Sequence, residues 1–286
     1  MEQYQKGMII GGTGLLYQAA EVLQQSGRVN ETELYFCNSN GFGKKQAENA
    51  QWTSREITVK KDLMELLAQE SAKTLVLSVM NPWLFTEEAL NNPNIFVINL
   101  HHALLPAHRG RNAEAWAIYE GDEKAGITWH RVDTGIDTGA VFIQKEVKIG
   151  DSTTSLKLLA QLNKAALEGL EELLSGDFVE KPPLSPSSGS EKLHLSKDVP
   201  NDGWLDLSWD GAQMSRFLRA VDYGVLDVFA RPRVRLENEV YICKSWKIQK
   251  AEQGEGDNLT FHPEKQELVI QRDKTKIILR KMEKET

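Results

Sequence analysis

Between Gly7 and Gly176, short apolar runs alternate with segments of helical periodicity. A chain with that rhythm has few ways to bury its strands, and the economical one packs helices over a largely parallel sheet. The first part of the chain is therefore read as α/β. Strands are expected at Gly7 to Ile10, Glu33 to Phe36, Thr74 to Val79, Ile95 to Asn99, Gly126 to Val132 and Ala140 to Lys148. Helices are expected at Leu15 to Gln25, Asp62 to Gln69, Ala113 to Glu120 and Ser155 to Leu174. The last carries Leu156, Leu159, Leu162, Ala166, Leu170 and Leu173 at three- and four-residue spacing, with Gly176 placed as its C-cap.

The periodicity lapses from Phe178 to Gly203, where Pro182, Pro183, Pro186 and Pro200 exclude a helix interior. A second, smaller and β-rich region follows. Asp210 is placed to N-cap a helix over Ala212 to Val221. Alternating segments then fall at Val234 to Leu236, Glu239 to Cys243, Trp246 to Gln249, Glu267 to Gln271 and Lys276 to Arg280. The expected division is 1–178, a linker at 179–203, and 204–286. A length of 286 residues suits two such domains.

Charge and cysteine content narrow the function. With 34 Lys and Arg against 41 Asp and Glu, the net charge is −7. That disfavours a general nucleic-acid binder, and the only basic stripe in the C-terminal region is Arg231, Arg233 and Arg235. Cys37 and Cys243 form no C-x-x-C pair, so neither a disulfide framework nor a cysteine zinc site is expected. No signal peptide or bilayer-length apolar run stands out, and the expected setting is soluble and cytoplasmic, with no membrane partner.

Two motifs invite chemistry. The first, IIGGTGLL, places Gly11, Gly12 and Gly14 between a strand and a helix. It lacks the G-x-G-x-x-G register, and Cys37, Asn38, Ser39 and Asn40 end the next strand without the acid that would hold a ribose, so a nicotinamide cofactor is not expected. A tight turn needing glycine freedom and an anion site at the helix N-terminus both remain open.

The second motif is richer. Four of the six histidines, His101, His102, His108 and His130, fall within Asn99 to Gln144. Strand alternation puts Asn99 and His101 on one face, at the end of a strand where open α/β sheets bind ligands. An amide donor beside an imidazole suits acyl transfer, because both stabilise a developing oxyanion and the ring also moves a proton. Asp133 and Asp137, in the loop VDTGIDTG, are the candidates to orient the imidazole. No metal is expected, since no H-E-x-x-H or comparable ligand spacing occurs.

Taken in order, Asn99-Leu100-His101, Leu104-Leu105-Pro106, Arg109-Gly110, Gly126-Ile127-Thr128, Asp133 and Ile136-Asp137-Thr138-Gly139 resemble the N10-formyltetrahydrofolate-dependent formyltransferase family. The resemblance implies a Rossmann-like domain with a mostly parallel mixed sheet, followed by a small OB-like domain. It implies catalytic Asn99, His101 and Asp137, with Asp137 keeping His101 oriented and charged. It implies N10-formyltetrahydrofolate as co-substrate, held by Met80, Pro82, Trp83, Leu84, Phe85, Asp133, Gly135 and Ile136. Arg109, Gly110, Arg111 and His130 would face the acceptor. Two features depart from the family: Ala103 replaces a common Ser, and NSNGFGKKQAENAQ differs from the enzymes acting on initiator tRNA.

The expected acceptor is a small-molecule amine, either a nucleotide-linked amino sugar or an amino-acid-derived amine such as hydroxyornithine. Methionyl-tRNA is the alternative, and no other nucleic acid is expected as a partner. Hydrolysis of the formyl donor is a further alternative. An oligomer is compatible with this reading.

Overall fold

The computed structural model describes residues 2–37, 52–184, 191–251 and 256–285. The segments called as Asn38 to Asn40, NSNGFGKKQAENAQ up to Gln51, and Pro186 lie outside the described residues. Contacts divide the chain into two units. One comprises 1–110, 124–148 and 160–193, and the other 111–123, 149–159 and 194–286.

The first unit is built on a seven-stranded sheet. Its strands are β1 (Tyr4–Gly11), β2 (Val29–Cys37), β3 (Thr53–Ile57), β4 (Thr74–Val79), β5 (Ile95–His101), β6 (Lys124–Arg131) and β7 (Val141–Lys148). Their spatial order is β3-β2-β1-β4-β5-β6-β7. The first five are parallel to one another, while β6 runs antiparallel to β5 and β7 to β6. The sheet is therefore mixed and mostly parallel, as expected. Every residue of β4 is buried, which is why it reads as a continuous apolar run and not as an alternation. Edge strand β3 escaped sequence analysis, because TSREI has one buried residue and no apolar pattern.

Helices α1 (Leu15–Gln25), α2 (Lys60–Ala68) and the short α3 (Glu87–Leu90) follow their strands. The long helix α5 (Ser155–Ser175) buries Leu158, Leu162, Ala166, Leu170, Leu173 and Leu174. Its first turn differs from the predicted face, since Leu158 is buried and Leu156 and Leu159 are only partly so. A Cβ on Gly169 would meet Ile127, Ile143 and Trp129, so the helix packs close to the sheet there. Gly176 follows the helix without a left-handed φ, so it is not an αL cap.

The glycines of IIGGTGLL have a different purpose from conformational freedom. None has a left-handed φ. A Cβ on Gly11 would overlap the Val79 carbonyl oxygen, and one on Gly12 would lie 2.9 Å from that of Cys37. Close backbone approach at the carboxyl edge of the sheet excludes side chains there.

The second unit carries α4 (Ala113–Glu120), α6 (Gly211–Ala220) and a five-stranded antiparallel sheet. The strands are β8 (Arg233–Leu236), β9 (Glu239–Lys250), β10 (Asn258–His262), β11 (Glu267–Arg272) and β12 (Thr275–Lys284), in the order β8-β9-β12-β11-β10. Asp210 caps α6 by accepting from Gln213 N at 2.7 Å, as the sequence implied. Met214, Phe217 and Leu218 of α6 pack with Val234, Leu268, Ile270, Ile277 and Leu279. The two segments predicted at 239–243 and 246–249 form the single strand β9, and β10 was not foreseen. Arg233 and Arg235 of the basic stripe lie over Trp204, at 4.4 and 5.4 Å from its ring centre.

Candidate active site

Strands β4 and β5 run side by side and end together, with Ser78 opposite Asn99 and Val79 opposite Leu100. On the other flank of β5, antiparallel β6 places His130 opposite Asn99 and Thr128 opposite His101. The polar groups Asn99, His101 and His130 thus gather at one edge because of strand register.

His101 is 7% exposed. Its Nε2 lies 2.9 Å from the His108 carbonyl oxygen, so Nε2 carries the proton it donates there. Nδ1 then faces Oδ2 of Asp137 at 3.5 Å. The other carboxylate oxygen, Oδ1, lies 3.5 Å from Nε2 of His130. Gly110 N donates to Asp137 Oδ2 at 2.8 Å, and the φ of 94° at Gly110 is one that side chains rarely adopt. Asn99 is half-buried, with Nδ2 3.1 Å from His130 Nε2 and Oδ1 accepting from Ser78 Oγ at 2.7 Å.

Electrostatics separate the two partners. Burial works to raise the Asp137 carboxyl, but His101, His130 and the Gly110 N–H outweigh it and hold the group at about 2. Burial also lowers His101 below its ordinary 6.5, and Asp137 only partly offsets that. Asp137 is therefore held as a carboxylate, while at His101 burial and the Asp137 charge pull in opposite directions and burial prevails. His102, next along the strand, is pushed down to about 3 by burial and is a neutral packing residue.

The loop after β5 is tied to the sheet by Thr128. Its Oγ1 donates to Ala103 O at 2.6 Å and lies 3.1 Å from Leu105 N, and Gln144 Nε2 reaches both Thr128 Oγ1 and Leu105 O. The Leu105–Pro106 bond is cis. Three non-glycine residues at this edge, Met80, His108 and Asp137, have φ of 56°, 49° and 54°. Such backbone conformations concentrate where a site over-determines geometry.

The two loops assigned to the co-substrate divide by exposure. Trp83 and Phe85 pack against the core beside Met64 and Leu67, whereas Met80 and Leu84 are 38% and 53% exposed. Asn81 closes the turn by bonding Trp83 N and O, and Pro82 is half-buried. In the second loop, Asp133 Oδ1 accepts from Gly135 N at 3.0 Å and Thr138 Oγ1 at 2.7 Å, so Asp133 shapes the loop. Ile136 is half-buried, and a Cβ on Gly139 would overlap the Arg131 carbonyl. Met80 and Leu84 thus present exposed apolar surface on the loop that follows β4.

The residues expected on the acceptor side fall in both units. Arg109 is half-buried, and Gly110 serves Asp137. Arg111 belongs to the second unit, where it is exposed and its N donates to His194 O at 2.9 Å. His130, expected to face the acceptor, is 2% exposed with Nδ1 2.8 Å from Arg131 O. Neighbouring Trp129 is 1% exposed and donates to Ala166 O, a packing role. Sequence analysis missed Ser78, although a lone hydroxyl near the end of the apolar run TLVLSV was a visible signal.

Comparison with known proteins bears on this geometry. The family model described as Formyl transferase matches residues 18–174. GDP-perosamine N-formyltransferase of Brucella melitensis is 29% identical over 154 residues, 54% of this chain and 58% of that protein. Methionyl-tRNA formyltransferase of Dichelobacter nodosus is 37% identical over 136 residues, 46% of this chain and 42% of that protein. The chain thus spans about half the length of the curated relatives it matches. Among solved structures, the sugar 3N-formyl transferase WlaRD, determined with dTDP and 5-N-formyl-THF, is similar with a TM-score of 0.70 and 17% identity, covering 96% of this chain and 97% of that one. No helix among the described residues is long and apolar enough to cross a membrane.

Proposed function

The chain belongs to the formyl transferase family, and from that premise we propose that it moves a formyl group from N10-formyltetrahydrofolate to the amine of a nucleotide-linked amino sugar. The observation that carries the reading is the convergence of His101 and His130 on the ionised Asp137, with Asn99 joined to the group through His130. The sugar acceptor is supported by the similarity to GDP-perosamine N-formyltransferase and by a net charge of −7, which suits a small acceptor better than tRNA. The setting we propose is cytoplasmic.

The donor supplies a formyl carbon attached to N10. Asn99 Nδ2 has a second hydrogen beyond the one directed at His130, and it stabilises the charge that develops on the formyl oxygen. His101 accepts the proton leaving the amine at Nδ1, since Nε2 is committed to His108 O. Asp137 stabilises the resulting imidazolium through Oδ2. The new amide C–N bond forms, the C–N10 bond breaks, and the proton passes from His101 to N10, so no covalent enzyme intermediate is required. Met80 and Leu84 offer apolar surface to the donor.

Methionyl-tRNA remains a second reading because of the 37% identity to the Dichelobacter nodosus enzyme. An amine panel decides between them: GDP- and dTDP-linked amino sugars, hydroxyornithine and charged initiator tRNA, with formylated product read by mass. Formylation of an amino sugar, abolished in Asn99→Ala, is the expected result. Formylation of tRNA alone would select the second reading. Donor turnover without any amine would show a hydrolase.

A further inference from the structure

Three polar side chains cross the sheet in one row. Register sets Ser78 of β4 opposite Asn99 of β5, and Asn99 opposite His130 of β6. Each step is bridged by a hydrogen bond, 2.7 Å from Ser78 Oγ to Asn99 Oδ1 and 3.1 Å between Asn99 Nδ2 and His130 Nε2. The outer two members are 1% and 2% exposed, so solvent does not substitute for a missing partner at either end.

The row has a polarity. A serine hydroxyl donates or accepts, and an amide can turn over, so neither residue alone decides which way Asn99 points. The decision comes from the far end. His130 Nδ1 lies 2.8 Å from the Arg131 carbonyl, an acceptor only, so Nδ1 donates there, and in the Nδ1–H tautomer Nε2 presents a lone pair to the Asn99 amide at 3.1 Å. That lone pair requires the Nδ2 side of Asn99. Oδ1 is then turned toward β4, where only a donor satisfies it, and Ser78 is that donor.

We infer that Ser78 is a positioning residue for formyl transfer: its hydroxyl locks the Asn99 amide with Nδ2 facing the formyl oxygen. This rests on the formyltransferase reading, in which Asn99 is the carbonyl donor. Removing the hydroxyl leaves a carbonyl oxygen without its donor, and an amide that turns over to escape would present Oδ1 to the reacting oxygen and to the His130 lone pair.

The test compares Ser78→Ala with the volume-matched pair Ser78→Thr and Ser78→Val in the full chain. One assay is steady-state transfer from N10-formyltetrahydrofolate to the amino sugar that wild type formylates. The other is the ¹⁵N spectrum of the His130 ring without substrate. The Ala and Val variants are expected to lose kcat at least about tenfold, short of the roughly 10²–10³-fold cost of deleting an oxyanion donor. Their KM for the donor stays within about twofold, and the His130 nitrogen shifts leave the Nδ1–H tautomer pattern. Thr restores both. Unchanged kcat and unchanged ring shifts in Ser78→Ala would overturn the inference, as would a Thr variant no better than Val. If wild type formylates no amine, the formyltransferase reading fails, while the ring spectra of Ser78→Ala still decide whether the row holds Asn99.

Discussion

Asp137 Oδ2 faces His101 Nδ1 at 3.5 Å, while the opposite ring nitrogen of His101 is engaged by the His108 carbonyl. The ring is thereby left with one nitrogen for proton movement, aimed at a carboxylate that is ionised at any ordinary pH. Because burial lowers His101 below 6.5, the neutral form needed to accept a proton prevails at pH 7.

Activity should therefore be flat near neutrality and fall only on acidification below pH 6.5. Asp137→Asn removes the group that partly supports the charged ring, so the acid limb moves to still lower pH. The rate on the plateau should fall within the roughly 10²–10⁴-fold range of acid–base contributions, because the imidazolium formed during transfer loses its counter-charge. A kcat/KM profile from pH 5 to 8 checks both effects, and an acid limb moving upward would contradict the charge assignment.

Gly139→Ala tests the loop that carries Asp137. Its Cβ would overlap the Arg131 carbonyl, which is backbone and has no rotamer to yield. The expected cost is about 1–3 kcal/mol of stability, with activity falling more than stability because Asp137 is displaced. Urea denaturation and transfer rate measured together would show this, and a fully active variant would mean the loop tolerates another path.

Glu114→Gln probes a buried carboxyl in the second unit. Tyr223 OH donates to its Oε1 at 2.6 Å, and burial raises the carboxyl above its ordinary 4.5 despite that bond. A raised carboxyl contributes stability that is complete below the unfolded value and is lost as pH rises through the folded one. Gln does not titrate, so the variant should gain on wild type between pH 5 and pH 8. Melting temperatures at the two values measure the gain, and a constant difference would exclude the linkage.

Sequence by itself determined much of the architecture, because periodicity is local. The apolar run Thr74–Val79, the helix Ala113–Glu120 and the Asp210 cap were legible in a few consecutive residues. Strands β3 and β10 were not, since Thr53–Ile57 and Asn258–His262 are edge strands with little buried surface to imprint a pattern. Alternation also placed Asn99 and His101 on one face, and the order of the surrounding motifs pointed to Asp137. Tertiary structure decided the rest. Ser78 and His130 lie 21 and 31 positions from Asn99 and become its neighbours only through strand register. The burial of His130 within the row and the downward pull of burial on His101 were equally invisible, because desolvation belongs to the packed whole and to no single stretch of chain.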